Sequence, residues 1–402
     1  MPKYLKYLNP SLLVFSINTI ALSAFVLTSS TLMMDFAKVP KHSSGLGILL
    51  YFIFTAAFVI GSLNYKSSVY RTPEEINSIN TRYRQIIVIT LTVFGFLTVF
   101  GYLFWFKDVI LNLKAYILKL ITSGMLSSSQ SLKEETSIKT LTNFGIGTVI
   151  LSFLSYKFYS KIKYKRLTIL IVLLSVFRVV FTAERIALIE LIIPIAIIVV
   201  RFDPILIKKM MFAGLVILII VWSSELLRSY MSPVYNEKYE PVEYLFYRFS
   251  MYFSTSINNF QILLYESFPK DFLPISGRTF YKFFAPNSET GVALGNLLSR
   301  YGSKEYNNFT AWGELFIDFG YFGILIAALL GRISRLAYNS FIAGKIIGLY
   351  IYPLLVLFFI QSFRTLLLVN IRFYASYVVI LFFIFLLSIA RSQKKLQKSE
   401  QL

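Results

Sequence analysis

Ten runs of predominantly apolar residues dominate the 402-residue chain, at 11–34, 46–63, 86–105, 141–156, 167–181, 186–200, 210–227, 311–330, 346–363 and 373–390. A helix crossing the hydrocarbon core of a bilayer needs about 20 such residues, and a helix satisfies its own backbone hydrogen bonds there. The runs predict an all-α polytopic membrane protein with about ten transmembrane helices. Runs four to six are short, and five and six are separated only by Thr182-Ala183-Glu184-Arg185, a tight polar hairpin. No run alternates with period two over ten residues, which argues against a barrel. Hydrophobic residues make up 56% and charged residues 15%, and a mean hydropathy of +0.66 over the whole length is more than one anchor supplies. The first run is long for the apolar core of a signal peptide and no small-x-small cleavage site follows it, so it reads as a retained span.

The net charge of +20 has its first explanation in topology rather than in nucleic acid, for which no role is expected. With the N-terminus inside, the inner segments hold 21 Lys and Arg in 78 residues, against 18 in 142 on the outer side. That bias predicts both termini inside. Three regions follow: a seven-span bundle over 1–227, a large outer loop with amphipathic helices over 228–311, and a three-span bundle with a basic inner tail over 312–402. The absence of cysteine removes disulfides, thiolate metal sites and cysteine nucleophiles. A single histidine, His42, removes zinc sites built on two imidazoles; in a short outer loop it reads as a solvated side chain. Neither a metal nor a cofactor is implied.

Residues 106–140 read as an amphipathic stretch on the outer leaflet. The longer outer loop, 228–311, is unlike a spacer. It carries 20 Phe and Tyr and four arginines, Arg228, Arg248, Arg278 and Arg300. Residues 242–268 have apolar positions at helical spacing, with Arg248 among them. Guanidinium groups match phosphate oxygens bidentately without a metal, and Tyr faces such as those of Tyr252 and Tyr281 suit the C–H faces of sugar rings. Together they suggest a phosphorylated, lipid-linked carbohydrate, although interfacial loops are enriched in Tyr and Arg for anchoring alone. Charges inside spans are costly and point to sites or to internal pairing. Here they are Arg178, Glu190, Glu225, Glu314 and Asp318, and Arg178 and Glu190 are candidates to neutralise each other across the hairpin.

The segment Thr310-Ala311-Trp312-Gly313-Glu314-Leu315-Phe316-Ile317-Asp318-Phe319-Gly320-Tyr321-Phe322-Gly323 resembles the T-x-x-G-E-x(4)-F-G-x-x-G signature that follows the large periplasmic loop in Wzy-type oligosaccharide repeat-unit polymerases. The hairpin Thr182-Ala183-Glu184-Arg185 and the loop elements Ser276-Gly277-Arg278 and Ala285-Pro286-Asn287 are similar to further family features. The resemblance implies a GT-C-like fold in the bacterial inner membrane, with its active site facing the periplasm. It implies metal-independent, inverting glycosyl transfer from one undecaprenyl pyrophosphate to the hydroxyl of a second lipid-linked repeat unit, in O-antigen or capsular polysaccharide synthesis. It carries the family's essential arginines over to Arg185 and, in the loop, to Arg248 and Arg278, and matches the signature glutamate with Glu314, so that Arg185, Arg278 and Glu314 are the catalytic candidates. With Arg248, the loop's composition adds Arg228, Arg300, Tyr252 and Tyr281 as substrate-binding candidates, and membrane lipids and a chain-length regulator are the expected partners. One departure is Ala183-Glu184, an acid beside the expected phosphate ligand where the family has small residues.

Asp318-Phe319-Gly320 lacks the Gly-rich and catalytic loops of a kinase, and Gly145-Ile146-Gly147 lacks the context of a dinucleotide site and reads as helix packing. A flippase of lipid-linked oligosaccharides is the main rival, and would show repeats and modest loops. A ligase of the same family is disfavoured because the loop has no histidine. A membrane acyltransferase built on His42, or a dolichol-type glycosyltransferase, for which the first outer loop offers Asp35 alone, are weaker alternatives.

Overall fold

The computed structural model describes residues 2–63, 69–80, 83–111, 113–114, 137–182, 185–206, 223, 226, 230, 233–265, 289–302 and 306–399. These residues are helical, with no strand among them. In chain order the longer helices begin with α1 (Pro10–Leu27), α2 (Gly45–Ser62) and α3 (Arg84–Leu111). Next come α4 (Gly145–Tyr159), α5 (Ile162–Thr182) and α6 (Arg185–Phe202). The aromatic-rich segment contributes α7 (Pro241–Ile262) and α8 (Glu289–Tyr301). The C-terminal part holds α9 (Thr310–Phe319), α10 (Gly323–Ile342), α11 (Ile346–Gln361) and α12 (Ile371–Ser399).

Among the described residues, five stretches are long and apolar enough to cross a membrane: α1, α2, α3, α9 with α10, and the first twenty residues of α12. α11 is apolar but shorter. The protein is thus all-α with membrane-spanning helices. The expected run 210–227, apart from residues 223 and 226, and the greater part of 106–140 lie outside the described residues. Helix α3 departs from the expected boundary by continuing past Trp105 to Leu111. Phe106 and buried Val109 pack on Trp105, and Phe106 also meets Phe177 edge-on, so this turn has an apolar partner inside the protein.

The chain divides into two compact units. The first comprises Met1–Val69, Tyr239–Ser340 and Leu354–Ile371. Helix α1 starts where Asn9 accepts a hydrogen bond from Ser11 N, with Pro10 pre-set for the first turn. Ser44 Oγ does the same for α2 through Gly47 N. Buried Asn18 of α1 uses its full hydrogen-bonding capacity. Its amide donates to Val14 O and Ser362 Oγ, and its oxygen accepts from Tyr51 Oη and Trp312 Nε1. Trp312 is fully buried against Phe54 and Phe58. Helices α2 and α10 meet backbone to backbone: a Cβ on Gly61 would lie 1.9 Å from Ala328 O, and one on Gly331 2.1 Å from Phe58 O.

Helix α7 packs against α1, α2 and α9 with its polar residues inward. Ser254, Thr255, Ser256, Asn258, Asn259 and Gln261 are all buried, whereas Val242, Phe246 and Phe249 are exposed. Polar groups inside and apolar groups outside is the pattern of a helix that meets lipid on one side and protein on the other.

The second unit comprises Tyr70–Lys238, Phe341–Pro353 and Arg372–Leu402. Gly147 is a packing position: its missing Cβ leaves room for Tyr350 Oη, 2.3 Å from where that atom would stand. Tyr350 in turn donates to Ser376 O. Fully buried Arg201 donates to Arg71 O at 2.7 Å and to Ile342 O at 2.9 Å, with Tyr70 against its guanidinium. A cation there satisfies carbonyls at the C-terminal end of α10 and complements its dipole. Lys157 pairs with Asp203.

Candidate functional site

The first unit gathers its chemistry around one tyrosine ring. Arg248, on α7, is 2% exposed. Its guanidinium lies 4.9 Å from the Tyr306 ring and 5.4 Å from the Tyr252 ring, and it donates to Tyr306 Oη. Tyr252 follows Arg248 by one turn of α7, so the helix period alone brings the two side chains to one face. A second guanidinium, that of Arg364, approaches the same Tyr252 ring at 5.5 Å. Two cations therefore approach a single aromatic ring, each with the rigid planar fork that suits phosphate oxygens.

Arg364 is held from both sides in sequence. Its own carbonyl accepts from Thr310 N at 3.0 Å, and that of Ser362 accepts from Ala311 N at 2.8 Å. Phe363 stacks on Phe253 of α7 with centroids 4.3 Å apart. The next residue, Thr365, donates from Oγ1 to Glu314 Oε1 at 2.7 Å. Glu314 is thus fixed by the residue adjacent to the second arginine.

Four positions of the 310–323 segment have a local physical reason. Thr310 takes φ +69°, a left-handed conformation that is uncommon for a β-branched residue. Its Oγ1 accepts from Gly313 N at 3.0 Å and so caps the first turn of α9. Gly313 is pressed by Phe260, Leu263 and Phe309, all 3.2 Å from its would-be Cβ. Gly320 ends α9 at φ +56° and ψ −138°, a region open only to glycine. Gly323 lets α10 start with a would-be Cβ 2.8 Å from Leu315 O. The expected single span 311–330 is therefore two helices joined by a glycine-enforced break.

Asn259 secures the segment that carries Tyr306, donating to Tyr306 O and Asn308 O. His42 differs from the expected solvated residue. The loop between α1 and α2 folds onto α7 and α8: His42 N donates to Asn258 Oδ1 at 2.7 Å, and its Nε2 lies 3.3 Å from Tyr301 O. Tyr265 and Tyr301 meet the imidazole edge-on. Burial lowers its pKa below the ordinary 6.5, opposed by the hydrogen bond to Tyr301 O.

Of the sequence-based candidates, the structure joins Arg248, Tyr252 and Glu314 through Arg364, Thr365 and Tyr306. Arg300 is exposed in the last turn of α8. Arg185 is the first residue of α6; its side chain, and the whole of Arg228, Arg278 and Tyr281, lie outside the described residues. In the second unit, Glu190 accepts from Arg372 at 2.9 Å and Arg178 donates to Thr142 Oγ1 at 2.9 Å, so the expected neutralisation of Glu190 involves Arg372. Among the described residues no group of three or more His, Cys, Asp or Glu converges as metal ligands do.

No protein-family model, curated protein or solved structure matches the chain.

Arg364, Thr365, Tyr306 and Asn259 were missed by sequence reasoning. One signal was available for Arg364: it directly follows an apolar run on the side that the Lys and Arg distribution leaves poor in cations.

Proposed function

We propose that the chain is a ten-span polymerase of undecaprenyl-pyrophosphate-linked oligosaccharide repeat units in a bacterial inner membrane. Both termini face the cytoplasm, its architecture is GT-C-like, and the Arg248–Tyr252–Arg364 cluster faces the periplasm. The observation that carries this reading is the convergence of two guanidinium groups on Tyr252, with Glu314 held beside the second. The 310–323 signature and the aromatic-rich 228–311 segment point the same way.

In this reading the growing glycan is transferred to the non-reducing-end hydroxyl of a new lipid-linked unit. The acceptor oxygen bonds to the anomeric carbon as the bond from that carbon to the pyrophosphate oxygen breaks. Pyrophosphate leaves with the bonding pair, and Arg248 and Arg364 stabilise the developing charge from fixed positions. Glu314 takes the hydroxyl proton. Tyr252 and Tyr306 offer ring faces and phenol oxygens to the sugars nearest the phosphate. Glycosyl transfer of this kind needs no metal.

The test is an assay with purified protein, an authentic lipid-pyrophosphate repeat unit and EDTA, the products being separated by size. The expected result is a ladder of repeat-unit multiples that Arg248→Lys and Arg364→Lys reduce at least a hundredfold in folded protein. Absence of a ladder, with the lipid instead crossing the bilayer of a proteoliposome, makes the protein a flippase.

A further inference from the structure

Helix α5, in the second unit, has an exposed face that the proposed reaction does not use. The helix packs against α4 and α6. Its buried residues Tyr164, Thr168, Ile171 and Ser175 recur at i, i+4, i+7 and i+11, the spacing of one helix face. The opposite face is open. Ile162, Ile169, Leu170, Leu173 and Phe177 are each 43–56% exposed and line up along it. Lys165 and Arg166 stand on the same face between Ile162 and Ile169, and both are exposed.

Lys161 and Lys163 are exposed beside them, so that four cations fall within six residues with no acid among them. Neighbouring Lys157 is matched with Asp203, but among the described residues none of these four is in an ion pair. Lys163 and Lys165 lie instead over the rings of Tyr164 and Tyr156, at 5.2 and 5.9 Å. Cations at the start of a helix oppose its dipole, so the stability of α5 does not account for them. An anion at this end offsets both the dipole and the mutual repulsion of the four side chains. From Arg166 to Phe177 the helix advances about 16 Å at 1.5 Å per residue, close to half of the roughly 30 Å hydrocarbon core. A basic end followed by an apolar stripe of one-leaflet length is the complement of a diacyl phospholipid with an anionic headgroup. A second copy of the chain fits less well, because a two-fold contact through this face sets the four cations against their like.

We propose that the open face of α5 binds an anionic phospholipid, with its phosphate held by Lys163, Lys165 and Arg166 and an acyl chain laid along Ile169, Leu173 and Phe177. The inference is independent of the polymerase reading and holds or fails without it.

The test uses the full chain in dodecyl maltoside, a detergent without phosphate. Melting temperature is followed while dioleoyl phosphatidylglycerol, dioleoyl phosphatidylcholine or glycerol phosphate, a headgroup without chains, is added at matched ionic strength. The expected result is saturable stabilisation by phosphatidylglycerol alone. Its half-saturating concentration rises at least tenfold in the triple variant Lys163→Gln, Lys165→Gln, Arg166→Gln. A control triple variant, Lys38→Gln, Lys107→Gln, Lys238→Gln, loses the same charge from exposed positions elsewhere and keeps the wild-type response. Should the first triple variant fail to fold, Lys165→Glu carries the comparison, with a rise of similar size. Equal stabilisation by phosphatidylcholine or by glycerol phosphate overturns the proposal, as does the same response in the two triple variants. A doubled particle mass that Leu173→Lys abolishes would give the face to a second copy and overturn it as well.

Discussion

Thr310 is the residue at which local strain and the candidate site coincide. A non-glycine residue at φ +69° costs on the order of 1–3 kcal/mol and persists only where its surroundings impose it. Here the imposing contacts are Thr310 N to Arg364 O and Thr310 Oγ1 to Gly313 N. Thr310→Gly relieves the strain but loses the cap; Thr310→Val keeps the strain and also loses the cap. The expected order of stability, read by thermal unfolding in detergent, is Thr310→Gly above Thr310→Val by about 1–3 kcal/mol, from the strain alone, since both lose the cap. Equal stability of the two would mean that this backbone position is not strained. His42 supplies the pH dependence. Its folded pKa lies below 6.5, chiefly through burial, so the unfolded chain binds the proton more readily. Stability from this group is complete above pH 6.5 and is lost as pH falls through the folded value. Melting temperature is therefore expected to decline from about pH 6.5 downward, and the decline to be shallower in His42→Gln; the same slope in both proteins would count against the assignment.

At the scale of elements, the close crossing of α2 and α10 depends on glycine in both helices. A side chain at Gly61 meets the Ala328 carbonyl, and one at Gly331 meets the Phe58 carbonyl. Backbone atoms in adjacent helices cannot yield as a side-chain tip does. Gly61→Val is expected to lower stability by about 1–3 kcal/mol through overpacking, measured by thermal or denaturant unfolding, whereas an unchanged midpoint would show that the helices are not so close. The helices themselves were legible as apolar runs, because a span advertises its length and its lack of charge. The glycine break between α9 and α10 was not, since Gly320 and Gly323 read equally well as packing residues within one span. The extension of α3 to Leu111 was also hidden, as it depends on Phe106 finding Phe177. The same holds for the site. Arg248, Tyr252 and Glu314 carried compositional or motif signals, but Arg364 and Tyr306 become significant only when the turn after α11 is brought to α7. No local periodicity encodes that approach. His42 read as a loop residue for the same reason, its partners Asn258, Tyr265 and Tyr301 being more than 200 positions away.

For the whole molecule, the cysteine-free sequence allows the proposed topology to be read from single introduced thiols. Ser43, Glu240 and Lys163 are all exposed. A membrane-impermeant maleimide is expected to label Ser43→Cys and Glu240→Cys in intact spheroplasts, and Lys163→Cys only after permeabilisation. The opposite pattern would invert the orientation and place the two-arginine cluster on the wrong side for a periplasmic reaction. The central claim, that Arg248 and Arg364 together hold a pyrophosphate, is tested most directly by the affinity of the purified protein for undecaprenyl pyrophosphate. The comparison is between wild type, Arg248→Lys, Arg364→Lys and the double variant. Loss of bidentate hydrogen bonding is expected to weaken binding about tenfold in each single variant, or roughly 1.4 kcal/mol. The double variant should depart from the sum of the two, because both groups face the same ring. Unchanged affinity in all three variants would contradict the claim and remove these arginines from the site.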